Sequence, residues 1–450
     1  MADEQPHAVA RLTAHHDVLP VLGHEGRWLV ARVSLDQVLK GDRIVNAHEI
    51  RVPPDGPVNA HIAIVGEGPA REEVREGRGF VGPSGSLLWP LLWRLAGISR
   101  SECYVTNLSK TPLENGVAGE AKMTPEEFEA NKVELMVELD RVRPRKVLAV
   151  GALAAKALLG GRFTNMHACN GVGFLTEWGA VYPTWHPAAA LYGGHGNDDP
   201  LAWTGAAIQA FGRHGFHDIH PAPLLPPPIA ERLSLDGPLG IDTALGIDTE
   251  GTPEAPICMT LAGTWERVYV TSGDVPKVLA SIPPNTLLVF HNALWDWRVL
   301  WAMGAPRDMA ARWPWVDTME MAYLAQTEPR GLKDLAWRHL GLRMRSFQDV
   351  VMPHYHASAE RSAQLLVDGM TTYVTHSAKT GRLLKKPKAI VAPEAKVLKR
   401  NLKNPAKLAK LLGMPGPSLD LVPRVEAREY ATMDAWATLM VYRALVARRA

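Results

Sequence analysis

The apolar positions of the chain follow two rhythms. Short, nearly continuous apolar runs occupy residues 61–66, 104–108, 146–151 and 180–187, and runs of this length mark strands buried on both faces. Between them apolar residues recur at helical spacing over 86–96, 124–142 and 152–159. The second of these opens on Thr124-Pro125-Glu126-Glu127, a capped helix start, and Gly97 closes the first. Strand alternating with helix predicts a parallel α/β sheet, whose ligands bind beyond the carboxyl ends of the strands. Gly66, Glu67, Asn107 and His186 stand at those ends, so the pattern predicts that they meet in one crevice.

From about residue 239 the rhythm changes. Residues 245–250 read as a strand, 257–262 and 267–270 as the rest of a meander, and 286–292 as a strand running into a helix over 296–303. Further helices are expected from residue 331 and over 425–449. The fold class expected is α/β in two domains, at 59–215 and 239–450. Residues 216–238, with Pro221, Pro223 and Pro226-Pro227-Pro228, are expected to form a semi-rigid linker. Residues 1–58 form an extension of unassigned role with a short strand at 28–33. A basic insertion at about 379–410 carries eleven Lys or Arg against one acid, Glu394. Such runs are usually solvated faces, but this one also suits phosphate contact.

Composition narrows the setting. A chain of 450 residues exceeds one ordinary domain. Its net charge of +2 excludes a chain-wide field for nucleic acid and leaves only local patches. Cys103, Cys169 and Cys258 lie too far apart for a disulfide framework or a CxxC metal pair. The polar N-terminus is no signal peptide and no run reaches membrane-spanning length. A cytoplasmic, reducing location without membrane partners is therefore expected.

Candidate chemistry begins at Asp248-Thr249-Glu250. On a strand, residues i and i+2 share a face, so the two carboxylates point at one spot. They repel unless a cation lies between them, and a divalent metal with oxygen ligands is the obvious one. A solvated strand end is the other reading of this stretch. The near-copy around Asp242 has Ala244 where the second acid would stand, and Asp242 is read as non-catalytic. Tyr430 and Asp434, four apart on a helix, also share a face.

The glycine-rich turn after the first strand lacks Gly-x-Gly-x-x-Gly and Gly-Lys-Ser/Thr, so a nucleotide cofactor is not expected. Instead Gly66-Glu67-Gly68-Pro69-Ala70, Gly79-Phe80-Val81-Gly82-Pro83-Ser84-Gly85-Ser86, Val105-Thr106-Asn107 and His186-Pro187-Ala188, in that order, resemble the uracil-DNA glycosylase superfamily in its family 4 branch. The resemblance covers about residues 60–210. It implies a flipped base stacked on Phe80 and read at O4 and N3–H by Asn107. His186 would bond O2 of the leaving uracil, and Glu67 would position water. Gly66 and Gly68 would shape the base-binding turn. Gly85 and Ser86 would offer helix N-terminal amides to a DNA phosphate. Thr111 stands where the family has a cluster-ligating Cys, and the helix near Asn131 lacks one too. No iron–sulfur cluster is therefore expected. The family's His-Pro-Ser-Ala-Leu-Leu-Arg run ends here in Leu191-Tyr192 without the Arg.

A second resemblance rests on Asp248-x-Glu250, Asn292-x3-Asp296 and Tyr430-x3-Asp434, with Asp317-Thr318-Met319 and residues 331–336 between them. The set resembles the DnaQ-like 3′→5′ proofreading exonuclease of family A DNA polymerases, over about residues 239–450. It implies a ribonuclease H-like mixed sheet, following the glycosylase-like parallel one. Asp248, Glu250, Asp296 and Asp434 would hold two Mg²⁺ or Mn²⁺ ions. Tyr430 would orient water, and Asn292 would brace the site or substrate. The implied partners are uracil-containing DNA, single-stranded or duplex 3′ ends, and a separate DNA polymerase. Three readings follow: base excision joined to 3′→5′ trimming, an exonuclease with a silent DNA-binding module, or an RNA-directed exonuclease.

Overall fold

The computed structural model describes residues 18–22, 28–32, 50–115, 121–191, 199–213, 215, 218–230, 243–376 and 383–449. Contacts divide the chain into two compact units, Met1–Pro221 with Gln326–Pro329, and Ala222–Ala325 with Arg330–Ala450. Asp242 and much of the expected linker lie outside the described residues. The strand expected near residue 28 is present as Trp28–Arg32, paired antiparallel with Val18–Leu22.

The first unit is built on β1 (Ile62–Gly66), β2 (Cys103–Asn107), β3 (Lys146–Val150), β4 (Phe174–Thr176) and β5 (Gly179–Thr184), in the order β2-β1-β3-β5-β4. All neighbours are parallel except β4, which is antiparallel to β5. Ile64, Val105, Leu148 and Tyr182 from the strands join Leu88, Leu92 and Phe211 in one core, which explains the continuous apolar runs. The polar stretch after the first turn is helical, α1 (Arg71–Glu76), closed by Gly77 at φ 64°. The next helix, α2 (Pro83–Ala96), starts three residues before the expected position. Gly82 caps it and Pro83 takes the first turn, where a missing N–H costs nothing. The helices α3 (Pro125–Val142) and α4 (Ala152–Leu159) match expectation, Thr124 and Glu127 forming the capping box. A further helix, α5 (Pro200–Gly212), is capped by Asp199, whose carboxylate accepts from the amides of Leu201 and Ala202. Its buried face recurs at helical spacing, Trp203, Ala207, Ile208 and Phe211 among it, but Leu201 and alanines on the other sides blur the amphipathic period that would have signalled it.

The proline-rich stretch is not free chain. Within the first unit Gly173 and His220 exchange backbone bonds with Asp218 and Gly173 at 2.9 and 2.8 Å. Within the second, Ile229–Ala230 forms β6 and lies parallel to Arg267–Val268.

The second unit holds β7 (Ala244–Thr252), β8 (Ala255–Ala262), β9 (Arg267–Thr271), β10 (Leu287–Phe290) and β11 (Trp315–Asp317), in the order β6-β9-β8-β7-β10-β11. The β7–β8 and β8–β9 pairs are antiparallel, whereas β7–β10 and β10–β11 are parallel. One face is covered by α6 (Ala293–Ala302), whose Val299 and Leu300 sit among Leu245, Ile247, Met259 and Phe290. The helices α7 (Leu332–Leu340), α8 (Phe347–Gly369) and the terminal α11 (Arg424–Arg449) follow expectation except for α8, which has no counterpart in the sequence reading. Between α8 and α11 the basic stretch folds into a hairpin, Thr371–His376 (β12) with Leu383–Val391 (β13), and two short helices, α9 (Pro393–Arg400) and α10 (Pro405–Leu411). Among the described residues no helix is long and apolar enough to cross a membrane.

One glycine sets how closely α11 approaches the sheet. A Cβ on Gly246 would lie 2.0 Å from the carbonyl oxygen of Ala435. Thr260, on β8, ties the same helix down by donating to the Ala431 carbonyl at 3.2 Å. Gly246→Ala should therefore push α11 outward and destabilise this unit by about 1–3 kcal/mol. Chemical denaturation checks this, and an unchanged midpoint would refute it.

Candidate functional sites

In the first unit the strand ends converge as expected. A Cβ on Gly66 would lie 2.3 Å from Asn107 Oδ1 and 2.7 Å from Phe80 Cζ, so the amide and the ring both close over that backbone. Asn107 and Phe80 are both buried. Phe80 holds φ 54°, unfavourable for an aromatic residue. Its carbonyl accepts from Trp89 Nε1 at 3.0 Å and from Arg100 at 3.2 Å, and Arg100 also donates to Gly79 O. These bonds, with a salt bridge from Arg100 to Asp55, offset the strain.

Glu67 is held at the start of α4, where its Oε1 accepts from the Leu153 amide at 2.9 Å. Gly151, at φ 99°, leaves room for that carboxylate, since a Cβ there would lie 2.5 Å from it. His186 Nδ1 accepts from the Ala188 amide at 3.2 Å, so a neutral ring carries its proton on Nε2. Burial holds the imidazole below its ordinary pKa, partly countered by the Glu67 and Glu73 carboxylates. The ring is thus a neutral donor rather than a cation.

One sequence-derived role changes, that of Ser86. The Ser86 amide is spent on Gly82 O at 3.0 Å, and Ser86 Oγ also donates to Gly82 O. Because α2 starts at Pro83, Ser86 lies beyond the first turn and its amide is not open to a phosphate. Gly85 serves close packing: a Cβ there would meet Phe80 O at 2.0 Å. Gly68 likewise lies under the Leu113 side chain, 2.8 Å from its own would-be Cβ.

Two supporting groups escaped sequence reading. Glu73 on α1 is buried and accepts from the amides of Ala70 and Gly82, joining the glycine-rich turn to the start of α2. Lys110 is buried, donates to Asn107 O at 2.6 Å and pairs with Glu138 at 3.0 Å. Glu138 also accepts from Thr106. Nothing in their local pattern separates either from a surface charge.

In the second unit, Asp248 and Glu250 from β7 and Asp434 from α11 bring carboxylate oxygens within 4.8 Å of one another. Asp296, on the first turn of α6, is buried, and its charge helps to raise the pKa of Asp248. It stands outside that trio, and its Oδ1 accepts from the Thr249 amide and hydroxyl at 3.1 and 2.7 Å. Burial first, then the neighbouring acids, pushes Glu250 and Asp296 up to about 8. Asp248 is raised well above its ordinary value for the same reasons. Burial raises Asp434 to about 6 against the nearby Lys333. Four clustered acids with hard oxygen donors and too little positive charge fit a divalent cation.

Tyr430 faces the cluster from α11. Burial and the acids raise its pKa, so its hydroxyl keeps its proton. Lys333, at the start of α7, lies 5.7 Å from the Tyr430 ring centroid and acts on Asp248, Glu250 and Asp434 as well. The sequence reading used Lys333 only as part of a motif. Asn292 takes φ 75° before α6 without a side-chain cap. Its amide and that of Ala293 donate to Asp317, which thereby fixes the helix start that carries Asp296.

The raised acids give a pH dependence of defined sign. An acid whose pKa is higher in the folded state stabilises below its unfolded value, and the contribution is lost as pH rises through the folded one. Without metal, thermal stability of this unit should fall between about pH 5 and 8.5. Mg²⁺ or Mn²⁺ should restore it at the upper end, because the ligands bind metal deprotonated. Thermal melts in EDTA and in Mn²⁺ test this, and parallel pH profiles would refute it.

Residues 53–206 match the uracil DNA glycosylase superfamily. The chain is 35% identical over 172 residues to the type-4 uracil-DNA glycosylase of Archaeoglobus fulgidus, covering 35% of this chain and 84% of that protein. It is 34% identical over 170 residues to that of Pyrobaculum aerophilum, covering 35% and 83%. For that of Sulfurisphaera tokodaii the identity is 31% over 150 residues, covering 31% of this chain and 66% of the relative.

Proposed function

Since the chain belongs to the uracil DNA glycosylase superfamily through residues 53–206, we propose that its first unit excises uracil, or a closely related base, from DNA, and that its second degrades DNA from the 3′ end. The observation that carries the first part is the closure of the Asn107 amide and the Phe80 ring over Gly66. A flipped uracil stacks on Phe80. Asn107 Oδ1 accepts from N3–H while Nδ2 donates to O4. As the N1–C1′ bond breaks, charge develops on O2, and His186 Nε2–H donates to it. Water placed by Glu67 adds to C1′ and gives up a proton, leaving free uracil and an abasic sugar. A neutral His186 suits this role, since it donates without being required to change charge.

The second part rests on the carboxylate cluster of Asp248, Glu250 and Asp434, with Asp296 beside it. The mixed sheet around it supports a ribonuclease H-like, DnaQ-type assignment. Two Mg²⁺ or Mn²⁺ ions held by these residues would supply the Lewis acidity and charge neutralisation for phosphodiester hydrolysis. The protonated Tyr430 hydroxyl orients the attacking water, and Lys333 steadies the ring and adds positive charge. In-line attack breaks the bond to the 3′ oxygen and releases a nucleotide.

One experiment separates the two parts. The protein is incubated with uracil-containing and normal single-stranded oligonucleotides, with and without EDTA. Abasic sites should form with EDTA present, and 3′ shortening should need the metal. Shortening without abasic product would make the first unit a DNA-binding module. Cleavage of RNA in preference to DNA would overturn the substrate assignment.

A further inference from the structure

The basic arm between α8 and α11 has no task in either reaction, yet its design is specific. Residues 395–419 contain six Lys or Arg and no Asp or Glu. Lys396, Lys399 and Arg400 lie on α9, Lys403 in the turn, and Lys407 and Lys410 on α10. Within each helix, steps of three and four residues put Lys396 with Lys399 and Arg400, and Lys407 with Lys410, on one side. All six are exposed. Among the described residues none of them forms a salt bridge, whereas Arg345 and His354 nearby both pair with Glu426. The opposite side is apolar: Leu398, Leu402, Leu408 and Leu412 seat against Tyr355, Ala359 and Ala363 of α8. That packing fixes the cations outward. The acids exposed on α8 are Asp349, Glu360 and Asp368; Asp349 accepts from Ser346 in the helix's capping box and Asp368 accepts a hydrogen bond from Gln364.

The arm is bolted to the catalytic helix. Val350 and Val351 at the root of α8 pack with Ala427, Ala431 and Tyr430 of α11. From Val351 to Ala363 the helix rises roughly 18 Å, and α9 and α10 pack along that span through Tyr355, Ala359 and Ala363. Resting on the exonuclease reading, we propose that this side of α9 and α10 binds the sugar-phosphate backbone of a single DNA strand whose 3′ end enters the carboxylate cluster. The strand is single because a duplex end must unpair before its last phosphodiester reaches half-buried acids. A row of cations without aromatic side chains reads phosphates, not bases.

The test uses the full chain in EDTA, so that nothing is cut. A fluorescent all-thymine oligonucleotide, which offers no uracil, is titrated between about 50 and 300 mM salt. The variant is Lys399→Ala/Lys403→Ala/Lys407→Ala/Lys410→Ala. Four lost phosphate contacts should make the slope of log affinity against log salt shallower by roughly 3, and weaken binding about five-fold per charge at 0.1 M salt. Photocrosslinking of a 4-thiothymidine oligonucleotide should label peptides within 393–412. An unchanged slope, or crosslinks only elsewhere, overturns the proposal, as does equal competition by blunt duplex or by anionic vesicles. Metal-dependent shortening is scored separately on the unmodified protein. Its absence with binding intact would sink the exonuclease reading, whereas shortening with an unaltered salt slope would sink the basic face alone.

Discussion

Asp248→Ala should stop 3′ shortening, lowering its rate by about 10³-fold or more, and at the same time raise the melting temperature of the metal-free protein. The first effect follows from position. Burial first, then the charges of Asp296, Asp434 and Glu250, raise the pKa of Asp248. On the proposed assignment it is one of the three acids whose oxygens lie within 4.8 Å of one another, so its loss would open the cation site. A loss of 10³ corresponds to about 4 kcal/mol of transition-state stabilisation, within the several kcal/mol that metal charge supplies. The second effect follows from repulsion. One of four mutually repelling buried acids is gone, and Lys333 has fewer anions to balance. Strain of this kind is what the proposed site would require. Gel analysis of a 5′-labelled oligonucleotide in Mn²⁺ and thermal melts in EDTA at about pH 8 test the pair of outcomes. Abasic-site formation in EDTA should be unaffected. Persistent shortening would refute the metal assignment.

Asn107→Ala should lower uracil release by about 10²–10³-fold, the usual effect of removing a preorganised donor, with little change in stability. In the proposed role the side chain reads the base, whereas the main chain carries the local structure. The Asn107 carbonyl would still accept from Lys110 Nζ, and Lys110 would still pair with Glu138. β1 and β2 would keep their ladder from Ile62–Cys103 to Gly66–Asn107. Single-turnover formation of alkali-labile sites measures the rate, and chemical denaturation measures the fold. A large loss of stability would make Asn107 a packing residue instead, and an unaltered rate would remove it from the base-reading role.

Much of both sites was legible because it is written in short intervals. Asp248 and Glu250 share a strand face, Tyr430 and Asp434 share a helix face, and the motif at Gly66-Glu67 ends a strand whose apolar run is continuous. Such intervals translate directly into geometry. The start of α2 was misplaced because Pro83 and Gly82 were read as part of a loop. That error made Ser86 a phosphate donor, although its amide is already bonded within the helix. The helix α8 was missed because it carries Pro353 and two His among mixed polar residues, and its apolar side appears only against α9, α10 and α11.

The sequence by itself determined the alternation of strands and helices, the identities of the four acids, and the order of the glycosylase-like motifs, since each depends on neighbours within a few residues. Only the tertiary structure decided what holds them. Gly246 opposite Ala435 O admits α11 to the sheet, and Thr249 turns one oxygen of Asp296 aside. Glu73 joins two loops, Lys110 braces Asn107, and Lys333 faces the acids. Residues far apart in the chain make these contacts, and periodicity carries no information at such separations.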